Sequence, residues 1–312
     1  MRIDDYLTNV GTVGISGHVR PDGDCVGSCM SMYLYIKKNY PNIKADIFLE
    51  KIPRELTFIK DSDKVSSEFA SDVENYDLFI VLDCGKERTG DAEKFVDAAK
   101  KTINIDHHVS NPGTGDENYI VPTASSACEL VYDVLDKERI DVEIAKAIYT
   151  GMVTDTGVFK YSNTSPKTME IAAKLIAYGF DFGSLIDHVF YEKTYLQNQI
   201  LGRCLMESIP CMNGKVIISS VDRKIQALYG LVSSDTDGVI DQLRVTKGVE
   251  VAILLKEMNP RVWRVSMRSC EEVNVATICN KFNGGGHTFA AGCTIKAPVN
   301  ESIKLILNEI KL

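Results

Sequence analysis

No uncharged apolar run in this 312-residue chain approaches the length of a membrane span, so no transmembrane helix is expected. Residues 1–10 include acidic side chains and have no apolar centre, which argues against a secretory signal and makes the cytoplasm the expected location. Basic tracts are missing too. With a net charge of −8, the chain lacks the phosphate-neutralising stripe that long or duplex nucleic acid requires. Short anionic substrates stay open, because bound metal can supply positive charge locally. There is no CxxC pair, and the nine cysteines are odd in number and scattered through apolar segments. They predict reduced core thiols, not disulfides or a zinc ribbon. Solenoid repeats and low-complexity tracts are also absent.

What is present alternates between strand and helix signals. Residues 12–16 read as a strand that opens into Gly17-His18-Val19-Arg20-Pro21-Asp22-Gly23-Asp24. A helix follows over 25–40, and its small residues Gly27, Ser28 and Cys29 would let it approach the sheet closely. Further strands are predicted at 45–49, 77–82 and 102–105, the last two running into Asp83 and Asp106, with a helix over 91–101 between them. Ser126 to Glu129 has capping-box spacing for a helix to about Arg139. Residues 142–153 form another that delivers Asp155, and Ser165-Pro166 starts one that ends at Gly179. This alternation predicts an α/β fold with a parallel sheet and ligands beyond the carboxyl ends of its strands.

A chain this long is expected to hold two cores. Residues 1–183 form the first domain, 184–205 a helical connector and hinge, and 206–312 a smaller α/β domain. The second domain has predicted strands at 216–221, 249–256, 262–268 and 292–296, with Asn259-Pro260 as a hairpin turn. Helices are expected over 272–282 and from Asn300 onward. Between them lies Asn283-Gly284-Gly285-Gly286-His287, read as a loop because packing gives no reason for three glycines in a row.

If the strand ends of the first domain converge, His18, Asp22, Asp24, Asp83, His107 and Asp155 bring four carboxylates and two imidazoles to one crevice. That much buried negative charge calls for cations. Two divalent ions ~3.5–4 Å apart would neutralise it, activate a water and clamp both oxygens of an in-line phosphoryl displacement. Mixed oxygen and imidazole donors favour Mn²⁺ over Mg²⁺, though Mg²⁺ or another divalent ion stays open as an alternative, and Cys25 and Cys84 read as structural. His188 reads as packing. Taken singly, Asp22-Gly23-Asp24 is a common turn, Asp83 an N-cap, Asp155 a helix-ending turn, Gly284 to Gly286 a flexible corner and Arg268 a solvated strand residue. Arg88 fits either the crevice or a solvated Lys86-Glu87-Arg88 run. Six acids and imidazoles at successive element ends are hard to explain as turns alone.

In chain order, His18 to Asp24, Val81-Leu82-Asp83, Asp106-His107-His108 followed by Asn111, and Thr154-Asp155-Thr156-Gly157 resemble the four motifs of the DHH phosphoesterases. Ser266-Met267-Arg268-Ser269, Gly284-Gly285-Gly286-His287 and Ala290-Ala291-Gly292 resemble the type-1 DHH-associated domain, with Asn283 where that family often has a fourth glycine. Size and domain pairing look most like the branch that acts on nanoRNA and 3′-phosphoadenosine 5′-phosphate (pAp). The resemblance implies an active site in the cleft between the domains. It implies His18, Asp22 and Asp83 on one Mn²⁺, Asp24, Asp83, His107 and Asp155 on a second, and Asp83 as the bridge. His108 would contact the scissile phosphate and Asp106 would orient an imidazole. Arg268 and the N–H groups of Gly284, Gly285 and Gly286 would hold a substrate phosphate, with His287 meeting the nucleotide.

The implied activity is hydrolysis of short oligoribonucleotides to mononucleotides, or of pAp to AMP. One alternative is a phosphodiesterase of cyclic dinucleotides or their linear products. Another is a nucleotide-binding sensor with a vestigial metal site, which would require a missing ligand, and none is missing. A homodimer is compatible with the sequence.

Overall fold

Five short segments of the first 120 residues form one parallel sheet: β1 (Thr12–Ser16), β2 (Lys44–Phe48), β3 (Leu78–Leu82), β4 (Thr102–Asp106) and β5 (Glu117–Ile120). The structure is a computed structural model that describes all 312 residues. The strand order is β2-β1-β3-β4-β5, so the connections reverse direction between β1 and β3. Open α/β sheets bind ligands at such a switch point. β3 reads as an unbroken apolar run because both its faces are covered. Leu78, Ile80 and Leu82 enter a large aliphatic core, while Phe79 and Val81 join Phe48, Tyr76 and Phe95 on the other side. Register aligns the strand ends: Ser16 lies opposite both Phe48 and Val81, and Leu82 opposite Ile105. The residues that follow therefore emerge along one edge.

Two helices frame that edge. The helix Gly23–Asn39 is capped by Asp22, whose side chain accepts from the Asp24 and Cys25 N–H groups. The helix Val142–Asp155 is capped by Asp141 in the same way. Small residues do give Gly23–Asn39 a close approach, but to this second helix as well as to the sheet. A Cβ on Gly27 would stand 2.7 Å from the Ala147 carbonyl oxygen and 2.9 Å from the Gly151 nitrogen.

Several predicted helices are shorter than their sequence signals. The one starting at Ser126 ends at Val134, and the expected box closes only halfway. Ser126 accepts from the Glu129 N–H, but the Glu129 carboxylate turns to the Ser125 and Thr168 hydroxyls instead. The helix expected over 91–101 covers only Glu93–Ala98.

The chain divides into two compact units, Met1–Glu192 and Lys193–Leu312. The division falls within the stretch read as a connector. Helix Phe182–Ile186 runs into a π-helical turn at Asp187–Tyr191, and Thr194 caps a new helix, Tyr195–Met206. The latter buries Ile200 and Cys204 against Ile217, Val221, Ala252 and Leu254, so it belongs to the core of the second unit.

That unit is a six-stranded mixed sheet made of β6 (Ile209–Cys211), β7 (Val216–Val221), β8 (Val251–Asn259), β9 (Val262–Ser269), β10 (Gly285–His287) and β11 (Ala290–Lys296), in the order β10-β11-β9-β8-β7-β6. Trp263, Val265 and Met267 alternate inward along β9, as its period-two pattern predicts. Asn274 caps a helix over Val275–Asn280 only, and the last helix is Val299–Leu307.

The glycine run is not a loop. Gly285 to His287 form an edge strand paired with Ala290 to Gly292. Packing accounts for two of the three glycines: a Cβ on Gly284 would lie 2.2 Å from the Gly292 carbonyl oxygen, and one on Gly286 (φ 145°) 2.4 Å from that of Ala290. All nine cysteines are free. No helix is long and apolar enough to cross a membrane.

Candidate metal centre

The loops after β1, β3 and β4 and the end of helix Val142–Asp155 bring the predicted acids and imidazoles together. Asp83 lies at the middle. Its Oδ2 stands 3.3 Å from His18 Nε2, and its Oδ1 stands 3.5 Å from His107 Nε2 and 3.6 Å from His108 Nδ1. His107 Nε2 is also 3.8 Å from Asp24 Oδ2 and 3.9 Å from Asp155 Oδ2. His18 Nε2 is 3.7 Å from Asp22 Oδ1. These separations are long for hydrogen bonds. They suit donor atoms gathered to share a cation rather than to bond one another. Three groups of donors meet here: His18, Cys25 and Asp83 on one side, Asp24, His107 and Asp155 on the other, and Asp83, Asp106, His107 and His108, which shares Asp83 with the first and His107 with the second. Asp22 takes part less closely: it is largely exposed, and the oxygen nearest His18 also caps its own helix.

Asp83 is 2% exposed, its Oδ1 has no hydrogen-bond donor, and its backbone is left-handed at φ 61°. An unpaired buried carboxylate in a strained turn is unfavourable on every count, and a cation removes the electrostatic part of that cost. The titration of its neighbours reports the same crowding. Burial, then the charges of Asp83 and Asp155, push the Asp24 carboxyl well above the usual range. Burial likewise lifts Asp155, which the His107 imidazole only partly offsets, to about 6. Burial works against a charged His107, yet the Asp83 contact and the surrounding carboxylates raise it to about 10. His18 is raised as well, with Asp22 and Asp83 outweighing its burial. In the absence of metal, protons on the imidazoles balance the carboxylates. The residues therefore fit a pair of divalent ions. Burial drives the Cys25 thiol strongly upward, and its Sγ faces the His18 backbone carbonyl.

Each donor is held by other groups. The His18 Nδ1–H donates to the Val19 carbonyl at 2.9 Å and leaves Nε2 for the centre. Asp24 accepts from the Ala127 and Cys128 N–H groups at 2.6 and 2.9 Å, at the start of helix Ala127–Val134. Asp106 accepts from the His107 and His108 N–H groups and from His108 Nδ1 at 2.8 Å, which raises the His108 pKa. Asn163, absent from the predicted site, donates to the Ser125 carbonyl at 2.8 Å and to Asp155 Oδ2 at 3.3 Å. No sequence signal marks it. Asn104 was also missed, although a polar residue inside an apolar strand run was a visible anomaly.

The remaining predicted residues lie elsewhere. Arg88 is exposed, and its link to the site is its backbone carbonyl, which accepts from the Val19 N–H at 2.8 Å. In the second unit, His287, Ala290 and Arg268 form one cross-strand row over β10, β11 and β9, so the imidazole and guanidinium leave the same face. Arg268 Nε lies 3.5 Å from Asp241 Oδ1. The Gly284 N–H is already used, donating to the Cys279 carbonyl at 2.9 Å. His188, half-exposed, contacts Glu192 and the ring of Phe58.

Residues 12–152 match the DHH family N-terminal domain and residues 213–312 the DHHA1 domain. A protein of Thermus thermophilus named bifunctional oligoribonuclease and PAP phosphatase NrnA is 28% identical over 96% of this chain and 90% of its own length. Its namesake from Bacillus subtilis is also 28% identical, over 91% of this chain and 89% of its own. The crystal structure of an exopolyphosphatase-related protein from Bacteroides fragilis superposes with a TM-score of 0.84 at 23% identity, covering 98% of this chain and 93% of that one, which shows the fold. With both domain types matched in the order in which their motifs occur, the chain carries an N-terminal domain of the DHH family followed by a DHHA1 domain.

Proposed function

We propose that this phosphoesterase is a Mn²⁺-dependent hydrolase of short oligoribonucleotides, releasing mononucleotides, and of pAp, yielding AMP. The observation that carries the reading is Asp83, a buried carboxylate whose two oxygens face His18 on one side and His107 on the other, with Oδ1 otherwise unpartnered. The two relatives named for both activities support the substrate class. A net charge of −8 favours short substrates over long strands.

In this reading His18, Asp22 and Asp83 hold one cation, and Asp24, Asp83, His107 and Asp155 the other. When bound, the pair supplies an activated water and neutralises charge on the phosphoryl oxygens. Mixed imidazole and carboxylate donors favour Mn²⁺ over Mg²⁺. His108, with Nδ1–H given to Asp106, keeps Nε2 for a phosphate oxygen or for proton transfer to the leaving group. Asp106 orients that ring. Arg268 and His287 would hold the far phosphate and nucleotide, aided by N–H groups of Gly285 and Gly286. The nine free cysteines suit a reducing cytoplasm.

The test is product release from a fluorescent dinucleotide and from pAp, measured with Mn²⁺, with Mg²⁺, and after chelation. Turnover of both substrates with Mn²⁺, lost on chelation and restored by Mn²⁺, is expected. Chelator-indifferent release, or release from neither substrate, would refute the reading.

A further inference from the structure

Asn104 sits in the middle of β4, fully buried in a strand whose neighbours Ile103 and Ile105 are core residues. A buried amide in an apolar strand is unfavourable unless all its hydrogen-bonding capacity is met. Here it is met, by the end of β3 and the loops after β3 and β4 that carry the metal centre. The Nδ2 group donates to the Cys84 carbonyl at 2.7 Å and to the Val81 carbonyl at 3.2 Å. Those two carbonyls bracket Asp83, so one amide nitrogen closes the turn that holds Asp83 at φ 61°. The Oδ1 atom accepts from Asn111 Nδ2 at 2.9 Å and, at longer range, from Thr114. Asn111 Nδ2 also donates to Asp106 Oδ2 at 2.6 Å, and Asp106 holds His108. Thr114 Oγ1 in turn accepts from the Lys86 N–H at 2.9 Å, beyond Asp83.

From this network we propose that Asn104 is a positioning residue. Its nitrogen fixes the backbone of the central carboxylate, and its oxygen fixes, through Asn111, the Asp106–His108 pair. One side chain thereby sets the distance between the loops after β3 and β4. A residue serving packing alone would be a valine or isoleucine at this position, without polar atoms to satisfy. The inference rests on the proposed reading of the site as a Mn²⁺ centre.

The two arms can be cut separately. Asn104→Ala removes both, whereas Asn111→Ala removes the bonds of its own amide to Asp106, Asn104 and the Gly113 N–H and leaves the Asn104 Nδ2 clamp on the Asp83 turn. Mn²⁺ uptake by the full chain, followed through the electron paramagnetic resonance signal of free Mn²⁺, reads the site without turnover. Steady-state kinetics on a dinucleotide then separate kcat from KM. Asn104→Ala is expected to weaken Mn²⁺ binding about 10- to 100-fold, the range found when outer partners of metal ligands are removed. Asn111→Ala should keep Mn²⁺ affinity within about threefold and lower kcat by about tenfold or more at unchanged KM. Should Asn104→Ala fail to fold, as judged by circular dichroism, Asn111→Ala still decides: a kcat equal to wild type would overturn the proposal. So would a folded Asn104→Ala with wild-type Mn²⁺ affinity. Wild-type protein that takes up no Mn²⁺ would overturn the reading of the site and this inference together, whereas normal wild-type uptake with unaffected variants would overturn this inference alone.

Discussion

Asp83 concentrates three unfavourable features in one residue: a left-handed backbone, burial to 2%, and a carboxylate oxygen with no donor. Non-glycine residues in that backbone region cost of order 1–3 kcal/mol, a cost tolerated chiefly where geometry serves function. Asp83→Asn removes the charge while keeping the shape. Without metal, its melting temperature should stay close to that of wild type, because relief of the buried carboxylate's desolvation is offset by loss of the partner of the protonated His18 and His107. Turnover should fall by more than the ~100-fold typical of outer partners. Chelated melts beside initial rates check this, and a variant both less stable and fully active would contradict it.

The imidazoles make a second prediction. His107 keeps its proton until about 10 rather than the ordinary 6.5, and His18 is shifted in the same direction. Protons held by the metal-free site must leave when cations enter, so Mn²⁺ affinity should rise with pH through that interval, not fall. Calorimetric titration in two buffers of different ionisation enthalpy would count the protons released, and a pH-independent affinity would contradict the sign.

At the scale of elements, the site depends on how closely helices Gly23–Asn39 and Val142–Asp155 meet. A Cβ on Gly151 would stand 2.2 Å from Cys128 Sγ and 2.9 Å from Asp24 Oδ1. Replacing a helical glycine by alanine ordinarily stabilises by about 1 kcal/mol. Here overpacking of about 1–3 kcal/mol opposes that gain and bears on a ligand carboxylate. Gly151→Ala should therefore be destabilising in urea and should weaken Mn²⁺ binding, and a more stable variant with unaltered binding would show that the helices have room. The sequence made β1, β3 and β4 legible because each apolar run stops abruptly at a polar ligand. Strands β5 and β6 were not legible: Glu117–Ile120 is a polar edge, and Ile209–Cys211 is three residues long with a proline inside. Long-range partners left no trace either. The N–H groups that hold Asp24 come from residues 127 and 128, which no local pattern connects to it. The glycine run shows the reverse, a strong signal misread, because its hairpin pairing with Ala290 to Gly292 is itself what demands the small residues.

For the whole molecule, all six acids and imidazoles of the cluster lie between residues 18 and 155, inside the unit Met1–Glu192. The unit Lys193–Leu312 has separate cores on the two faces of its own sheet. Cations that bind only the folded first unit should stabilise that unit alone. At a free Mn²⁺ concentration one hundred times Kd the gain is about 2.7 kcal/mol. For a domain of this size each kcal/mol moves Tm by roughly 2–4 °C. Scanning calorimetry of the full chain should then resolve two transitions. Mn²⁺ should raise the one that belongs to the first unit by several degrees and leave the other in place, and Asp83→Asn should abolish the shift. A single transition that moves as a whole would mean that the units unfold together, and two transitions both indifferent to Mn²⁺ would mean that the clustered carboxylates bind no cation.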